Sequence, residues 1–212
     1  MKSILDFFLH VDKNLIAIVA AYGAWSYVIL FGVIFMETGL VVTPFLPGDS
    51  LLFAAGALSA MGSFNLTALF LLMWLAAFLG DTVNYWIGHY IGPRAFEMNN
   101  KLLKKEYLEK AQSFYDKHGG KAIVLARFVP IVRTFAPFVA GIGKMSYGKF
   151  ISYNLIGGLA WVSVFVFGGY FFGNLPFIRD NFHYSVVVIV LISVVPIVME
   201  IVKSKRKENK AI

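Results

Sequence analysis

Arg127-Phe128-Val129-Pro130-Ile131-Val132-Arg133-Thr134-Phe135-Ala136-Pro137-Phe138-Val139-Ala140-Gly141 is apolar enough to enter a membrane, yet it carries two arginines and two prolines. A charged side chain at bilayer depth costs about 2.5–3.5 kcal/mol on insertion scales. Proline removes a backbone donor and breaks the helical ladder. Broken backbone is tolerated at that depth only where protein buries it or it lines a watery cavity. Pro130 and Pro137 therefore predict a broken, re-entrant segment, and Arg127 and Arg133 predict a site within it. The plainer alternative is two arginines snorkelling to headgroups at a membrane surface.

The rest of the chain has the same solvent in view. Of its 212 residues, 58% are hydrophobic and only 15% charged, against about 45–50% and 25% in soluble domains. This composition reads as an integral membrane protein with one membrane domain. Cysteine is absent, which excludes disulfides, cysteine metal sites and thiol catalysis. The formal charge of +7 sits in short loops and a tail beside apolar runs, so anionic lipid is the expected partner rather than nucleic acid. No cleavable signal peptide is expected, because Asp6 and Asp12 interrupt the first apolar run.

Residues 1–13 mix Ile4, Phe7 and Phe8 with Lys2, Asp6 and Lys13 and predict an interfacial helix. Residues 15–36 form a first span, ending at Glu37-Thr38-Gly39. Residues 37–60 are apolar but punctuated by Pro44, Pro47, Gly48 and Asp49. They predict a pair of re-entrant half-helices, the second capped by Asp49. A second span runs from residue 64 to about 91, with Asp81 and Asn84 inside it and Gly88-x-x-x-Gly92 permitting close helix approach. Residues 93–121 alternate charge with Leu102, Leu103, Tyr107, Leu108, Ala111, Phe114 and Tyr115 at helical spacing. They predict an amphipathic helix on the membrane, ended by Gly119-Gly120. The arginine segment follows at 122–143. A third span is expected at 147–173, with Trp161 and a second glycine pair, Gly169 and Gly173, and a fourth at 184–202 before a basic tail.

By the positive-inside rule, the tail and the 93–121 stretch are cytoplasmic. The expected fold is all-α: an integral membrane protein with an inverted repeat, four full transmembrane helices, two opposed re-entrant helical hairpins and amphipathic surface helices. The membrane domain spans 15–202, with a first repeat at about 15–92, a linker at 93–121 and a second repeat at about 122–202. The basic tail is 203–212, and both termini are cytoplasmic. Pro44-Phe-Leu-Pro-Gly-Asp49 leads to Gly88 and Gly92 about forty residues on, as Phe128-Val-Pro-Ile-Val-Arg133 leads to Gly169 and Gly173. Inverted repeats with broken helices meeting near the midplane are the plan of many secondary transporters. The glycine pairs also permit a homodimer, or packing within one chain.

The first broken segment carries Glu37 and Asp49, the second Arg127 and Arg133. Buried charges persist when paired. The arginine fork grips carboxylate or phosphate with two bonds, so an anionic substrate could compete with the acids. A carboxylate that takes up a proton releases its arginine, a route to proton coupling driven by about 2.3 kcal/mol per charge per 100 mV. The alternative is a permanent ion-pair lock.

At these residues the chain resembles the DedA family of bacterial membrane proteins, which share the VTT (SNARE-associated) domain. The resemblance rests on Glu37-Thr-Gly, on Phe45-Leu-Pro-Gly-Asp-Ser-Leu-Leu52 and on Gly80-Asp81 with Tyr85-Trp86-x-Gly88. It also rests on Arg127-Phe-x-Pro130-x-x-Arg133-x-x-x-Pro137-x-x-Ala-Gly141 and Trp161. It covers about residues 15–200. It implies lipid translocation across the bacterial cytoplasmic membrane, with members linked to undecaprenyl phosphate recycling for the cell envelope and to phosphatidylethanolamine. It further implies that acids and arginines matching Glu37, Asp49, Arg127 and Arg133 are needed for activity. The expected function is a flippase returning undecaprenyl phosphate from the outer to the inner leaflet, coupled to the proton motive force. In that scheme Arg127 and Arg133 bind the phosphate, Glu37 and Asp49 carry protons or balance charge, and Asp81 and Asn84 are secondary candidates. Alternatives are a translocase or scramblase of phosphatidylethanolamine or another phospholipid, a lipid-phosphate enzyme, or a structural factor.

An enzyme would want a positioned histidine or serine near the phosphate-binding groups. His10, His89, His118 and His183 all lie outside the arginine segment, and His-Glu-x-x-His is missing. No metal and no cofactor are expected.

Overall fold

A computed structural model of the chain describes residues 22–40, 48–92, 105–129 and 132–175, with side chains of the linker helix from Leu108 onward. The interfacial helix at 1–13, Pro44, Pro47 and Pro130, the fourth span and the basic tail lie outside the described residues. Every regular element among the described residues is helical: α1 (Trp25–Gly39), α2 (Gly48–Ala60), α3 (Leu66–Ile91), α4 (Lys105–His118), a 3-10 turn (Gly119–Lys121), α5 (Ala122–Ala126), α6 (Val132–Ile142) and α7 (Tyr147–Gly173).

Among the described residues, two helices are long and apolar enough to cross a membrane, α3 and α7. At 1.5 Å per residue each reaches about 39–40 Å, more than a hydrocarbon core of about 30 Å. Their outward faces are apolar. Leu71, Leu75, Leu79, Val83, Trp86 and Tyr90 are exposed along α3 at intervals of three or four, which puts them on one stripe. The inward faces hold the polar groups Asp81, Asn84 and Asn154. Apolar side chains outside and polar ones inside suit lipid as the solvent.

The described residues fall into two compact units. One, here the arginine unit, holds 27–40, 67–92, 105–129 and 132–164; the other holds 22–26, 48–66 and 165–175. In the arginine unit α3 is the template. Gly80, Asp81, Asn84, Tyr85 and Gly88 are all buried and share one face. At Gly80 a Cβ would strike Thr38 and the backbone of α1, and at Gly88 it would strike the Phe138 carbonyl of α6. Both partners therefore approach to backbone contact. Below them Tyr85 stacks on Phe150 with centroids 4.4 Å apart and donates its hydroxyl to the Met145 carbonyl.

In the second unit α2 is buried over most of its length. Its Phe53 carbonyl fills the space a Cβ would need at Gly169, and the Val166 carbonyl does the same at Gly56. The same pattern occurs in the arginine unit, where Phe138 meets Gly88 and Tyr85 meets Gly141. Phe53-Ala-Ala-Gly56 and Phe138-Val-Ala-Gly141 are thus equivalent, each paired with a glycine three residues after its other contact. These paired contacts are crossed with respect to chain order. The short helix of each half packs on the span of the other half, so the compact units do not follow the halves at 15–92 and 122–202.

Four expectations change. The first span is not one helix from 15 to 36. Gly23 adopts φ +50, a left-handed conformation that ends regular helix and suits glycine, and α1 starts at Trp25. Pro137 does not break its helix; it sits inside α6, where it only withholds an amide from the Arg133 carbonyl one turn earlier. Gly92 meets no neighbour and has φ +62, so it terminates α3 rather than packing a helix. The linker helix ends at His118 with Gly119 at φ +57, as expected. Its apolar stripe from Leu108 onward, however, packs on protein. Leu108 and Ala111 are buried in a cluster with Ile123, Phe135, Phe138 and Phe150.

Candidate functional site

The site lies in the arginine unit where three interruptions of regular backbone coincide. α1 ends at Gly39, α5 ends at Ala126, and α6 begins at Val132. Glu37 lies in the last turn of α1, Arg133 in the first turn of α6, and Arg127 in the turn after α5. α3 supplies Asp81 and Asn84 from its middle. Asp81 is fifteen residues after the start of α3 and ten before its end, about 22 and 15 Å along the axis.

Two ion pairs form. Arg133 pairs with Glu37 and Arg127 with Asp81. Their surroundings differ. Arg127 and Asp81 are each 5% exposed, and Arg127 also donates to the Asn154 Oδ1. Asn154 in turn donates to the Phe78 carbonyl at 3.1 Å. Gly157 and Gly158 of α7 leave room for the Arg127 side chain, which comes within 3.0–3.5 Å of where their Cβ atoms would be. Arg127 is therefore held from α3 and α7 together. Arg133 is looser, with 15% of its side chain exposed, and its guanidinium lies 5.5 Å from the centre of the Trp161 ring. That geometry allows a cation–π attraction, while Glu37 itself is 1% exposed.

A cavity opens between the pairs, lined by Glu37, Thr38, Asp81, Arg127, Arg133, Thr134 and Trp161. Its free space is about 10 Å³, close to the minimum for a single water. Two acids and two guanidiniums leave the centre neutral, which limits the cost of burying four charges.

Against the expected residues, Glu37, Arg127 and Arg133 come together. Asp81, read as secondary, holds the ion pair with Arg127. Asn84 has no exposed surface and donates to the Thr38 and Thr134 carbonyls at 3.0 and 2.7 Å. Asp49 belongs to the other unit, in the first turn of α2, which Gly48 opens. Asn154, Thr134 and the glycine pair 157–158 carry no signal that was read from the sequence. Among the described histidines, His118 bonds the Phe114 carbonyl at 2.9 Å and His89 stacks on Tyr85; neither lines the cavity.

Residues 46–171 match the VTT domain. The chain is 53% identical to Protein DedA of Escherichia coli strain K12, over 98% of this chain and 96% of that one. The chain belongs to the DedA family. It is also 39% identical to the uncharacterized membrane protein Rv0364 of Mycobacterium tuberculosis, over 90% of this chain and 86% of that one. It is 33% identical to the inner membrane protein YghB of Escherichia coli K12, over 83% and 78%. No solved structure matches the chain. As a DedA-family membrane protein it carries Asp49, Asp81, Asn84 and both arginines inside the matched VTT domain, with Glu37 just ahead of it.

Proposed function

We propose that this DedA-family protein moves an anionic lipid phosphate, undecaprenyl phosphate, from the outer to the inner leaflet of the bacterial cytoplasmic membrane. The carrying observation is the inequality of the two buried pairs around one small cavity. Arg127 is fixed by Asp81 and Asn154, whereas Arg133 is part-exposed, pairs with Glu37 and lies over the Trp161 ring. Phosphate would replace the Glu37 carboxylate on Arg133, and the cavity would grow by the space that carboxylate leaves. Protonation of Glu37 would release Arg133 at no net change of local charge once the phosphate binds as its monoanion, which supports coupling to the proton motive force. Helix lengths support a re-entrant reading of the short elements. α6 extends about 16 Å, half of a hydrocarbon core, and is buried on nearly every side. The exposed Leu125, Phe128 and Val129 beside Arg127 would leave the prenyl chain in lipid. Four spans with both termini cytoplasmic complete the topology.

The test is transbilayer movement of labelled undecaprenyl phosphate in proteoliposomes, with and without an imposed proton gradient. Labelled phosphatidylethanolamine runs as a second arm. Gradient-sensitive movement lost in folded Arg133→Gln and Glu37→Gln supports the proposal. Movement of phosphatidylethanolamine alone transfers the same site to a different lipid. If neither lipid moves faster than in empty liposomes, the proposal fails and the charge cluster is a structural lock.

A further inference from the structure

We infer that Asn84 is the positioning residue of this site: one NH₂ group, shared between two helices, holds Glu37 and Arg133 opposite each other. The inference deepens the transport reading, and its transport arm rests on that reading.

Asn84 is wholly buried, and its Nδ2 donates both to the Thr38 carbonyl and to the Thr134 carbonyl, at 3.0 and 2.7 Å. Thr38 directly follows Glu37 and Thr134 directly follows Arg133. Both partners are acceptors, so the NH₂ end of the amide must face them. Among the described residues the buried Oδ1 meets no hydrogen-bond donor, which is the cost of aiming both hydrogens the same way.

Simple satisfaction of buried polar groups does not account for this arrangement. Thr38 lies at the end of α1, where the last carbonyls lack helical amides, and one hydrogen would serve it. Thr134 lies inside α6, where regular helical geometry offers its carbonyl the amide of Phe138. The second bond is surplus to that need. Its effect is to tie the end of α1 to the start of α6 at the two residues adjoining the ion pair. Asn84 lies one turn beyond Asp81 on the same face of α3, so one helix sets the position of both pairs.

The cysteine-free chain allows a direct measurement. Nitroxides placed by Met36→Cys on α1 and Gly143→Cys after α6 occupy exposed positions in the same unit. Double electron–electron resonance in nanodiscs reads the distance between them. Asn84→Ala is expected to broaden or split a narrow distribution. Asn84→Ser, with one donor hydrogen in place of two, gives an intermediate breadth and serves if the alanine variant does not fold. An unchanged distribution in a folded variant overturns the inference. In proteoliposomes, folded Asn84→Ala should raise the half-saturating fraction of labelled undecaprenyl phosphate about tenfold, alongside a lower melting temperature from the orphaned Thr38 carbonyl. A lower maximal rate with unaltered half-saturation overturns the positioning role. If the lipid does not move even with Asn84 present, the transport reading has failed, and the distance measurement still decides the role of Asn84.

Discussion

Gly88 of α3 and Phe138 of α6 meet backbone to backbone, in a space that a single methyl group would fill. Gly169 and Phe53 repeat that contact in the second unit. Gly88→Ala and Gly169→Ala should each destabilise the protein by about 1–3 kcal/mol, the usual cost of overpacking. Gly32→Ala, at a site with nothing within 4 Å, should leave stability unchanged or raise it. Thermal unfolding in detergent, by loss of monodisperse protein, checks all three.

The two ion pairs should respond differently to neutralisation. Arg127→Gln strands a buried carboxylate and should cost about 3–5 kcal/mol. Adding Asp81→Asn should recover most of that stability and part of the transport. The Arg133→Gln and Glu37→Gln double variant should recover folding but no transport. Equal behaviour of the two doubles, measured by melting temperature and lipid movement, would remove the distinction between a fixed pair and an exchanging one.

Asn154 should matter through Arg127. Asn154→Leu removes an acceptor from a buried guanidinium and should cost about 1–3 kcal/mol. Gly157→Ala crowds the Arg127 side chain, 3.0 Å from the added Cβ, and the Val124 backbone at 3.2 Å, and should lower transport further than stability. Parallel melting curves and liposome assays separate the two effects.

The linker helix should stabilise the fold. Leu108 has no exposed surface, and Leu108→Ala should cost about 2–5 kcal/mol as a core truncation. Lys117→Ala, on the exposed side, should stay within about 0.5 kcal/mol. Equal melting temperatures for the two variants would mean that the stripe of α4 contributes little to packing.

Much of this was legible because charge and proline stand out against an apolar background. Arg127, Arg133 and Glu37 announce themselves by the cost of placing them in lipid, and the ends of α3 and α7 follow from apolar length. Partner choice was less legible. Asp81 sits 46 residues before Arg127, and no local pattern says that it, rather than another acid, closes that pair. The spacing Gly80-Asp81-x-x-Asn84-Tyr85-x-x-Gly88 does mark one helical face, and it could have raised Asp81 above a secondary rank. Asn154 stayed hidden because a lone amide a few residues after Ser146 and Lys149 looks like the polar start of a span. Phe53-Ala-Ala-Gly56 and Phe138-Val-Ala-Gly141 were in plain view as a repeat, but the glycine spacing near the span ends drew the comparison elsewhere. Pro137 was read by its general habit, whereas the buried surroundings of α6 keep the helix intact around it.

The crossed packing has a bearing on ancestry. A half-length chain carrying one Phe-x-Ala-Gly helix and one glycine-bearing span would find neither contact partner within itself. It could close both by pairing with a second copy, the short helix of each lying on the span of the other. Fusion of such a pair would leave a chain with this packing. Severed between residues 93 and 104, its two fragments should therefore be stable only when produced together.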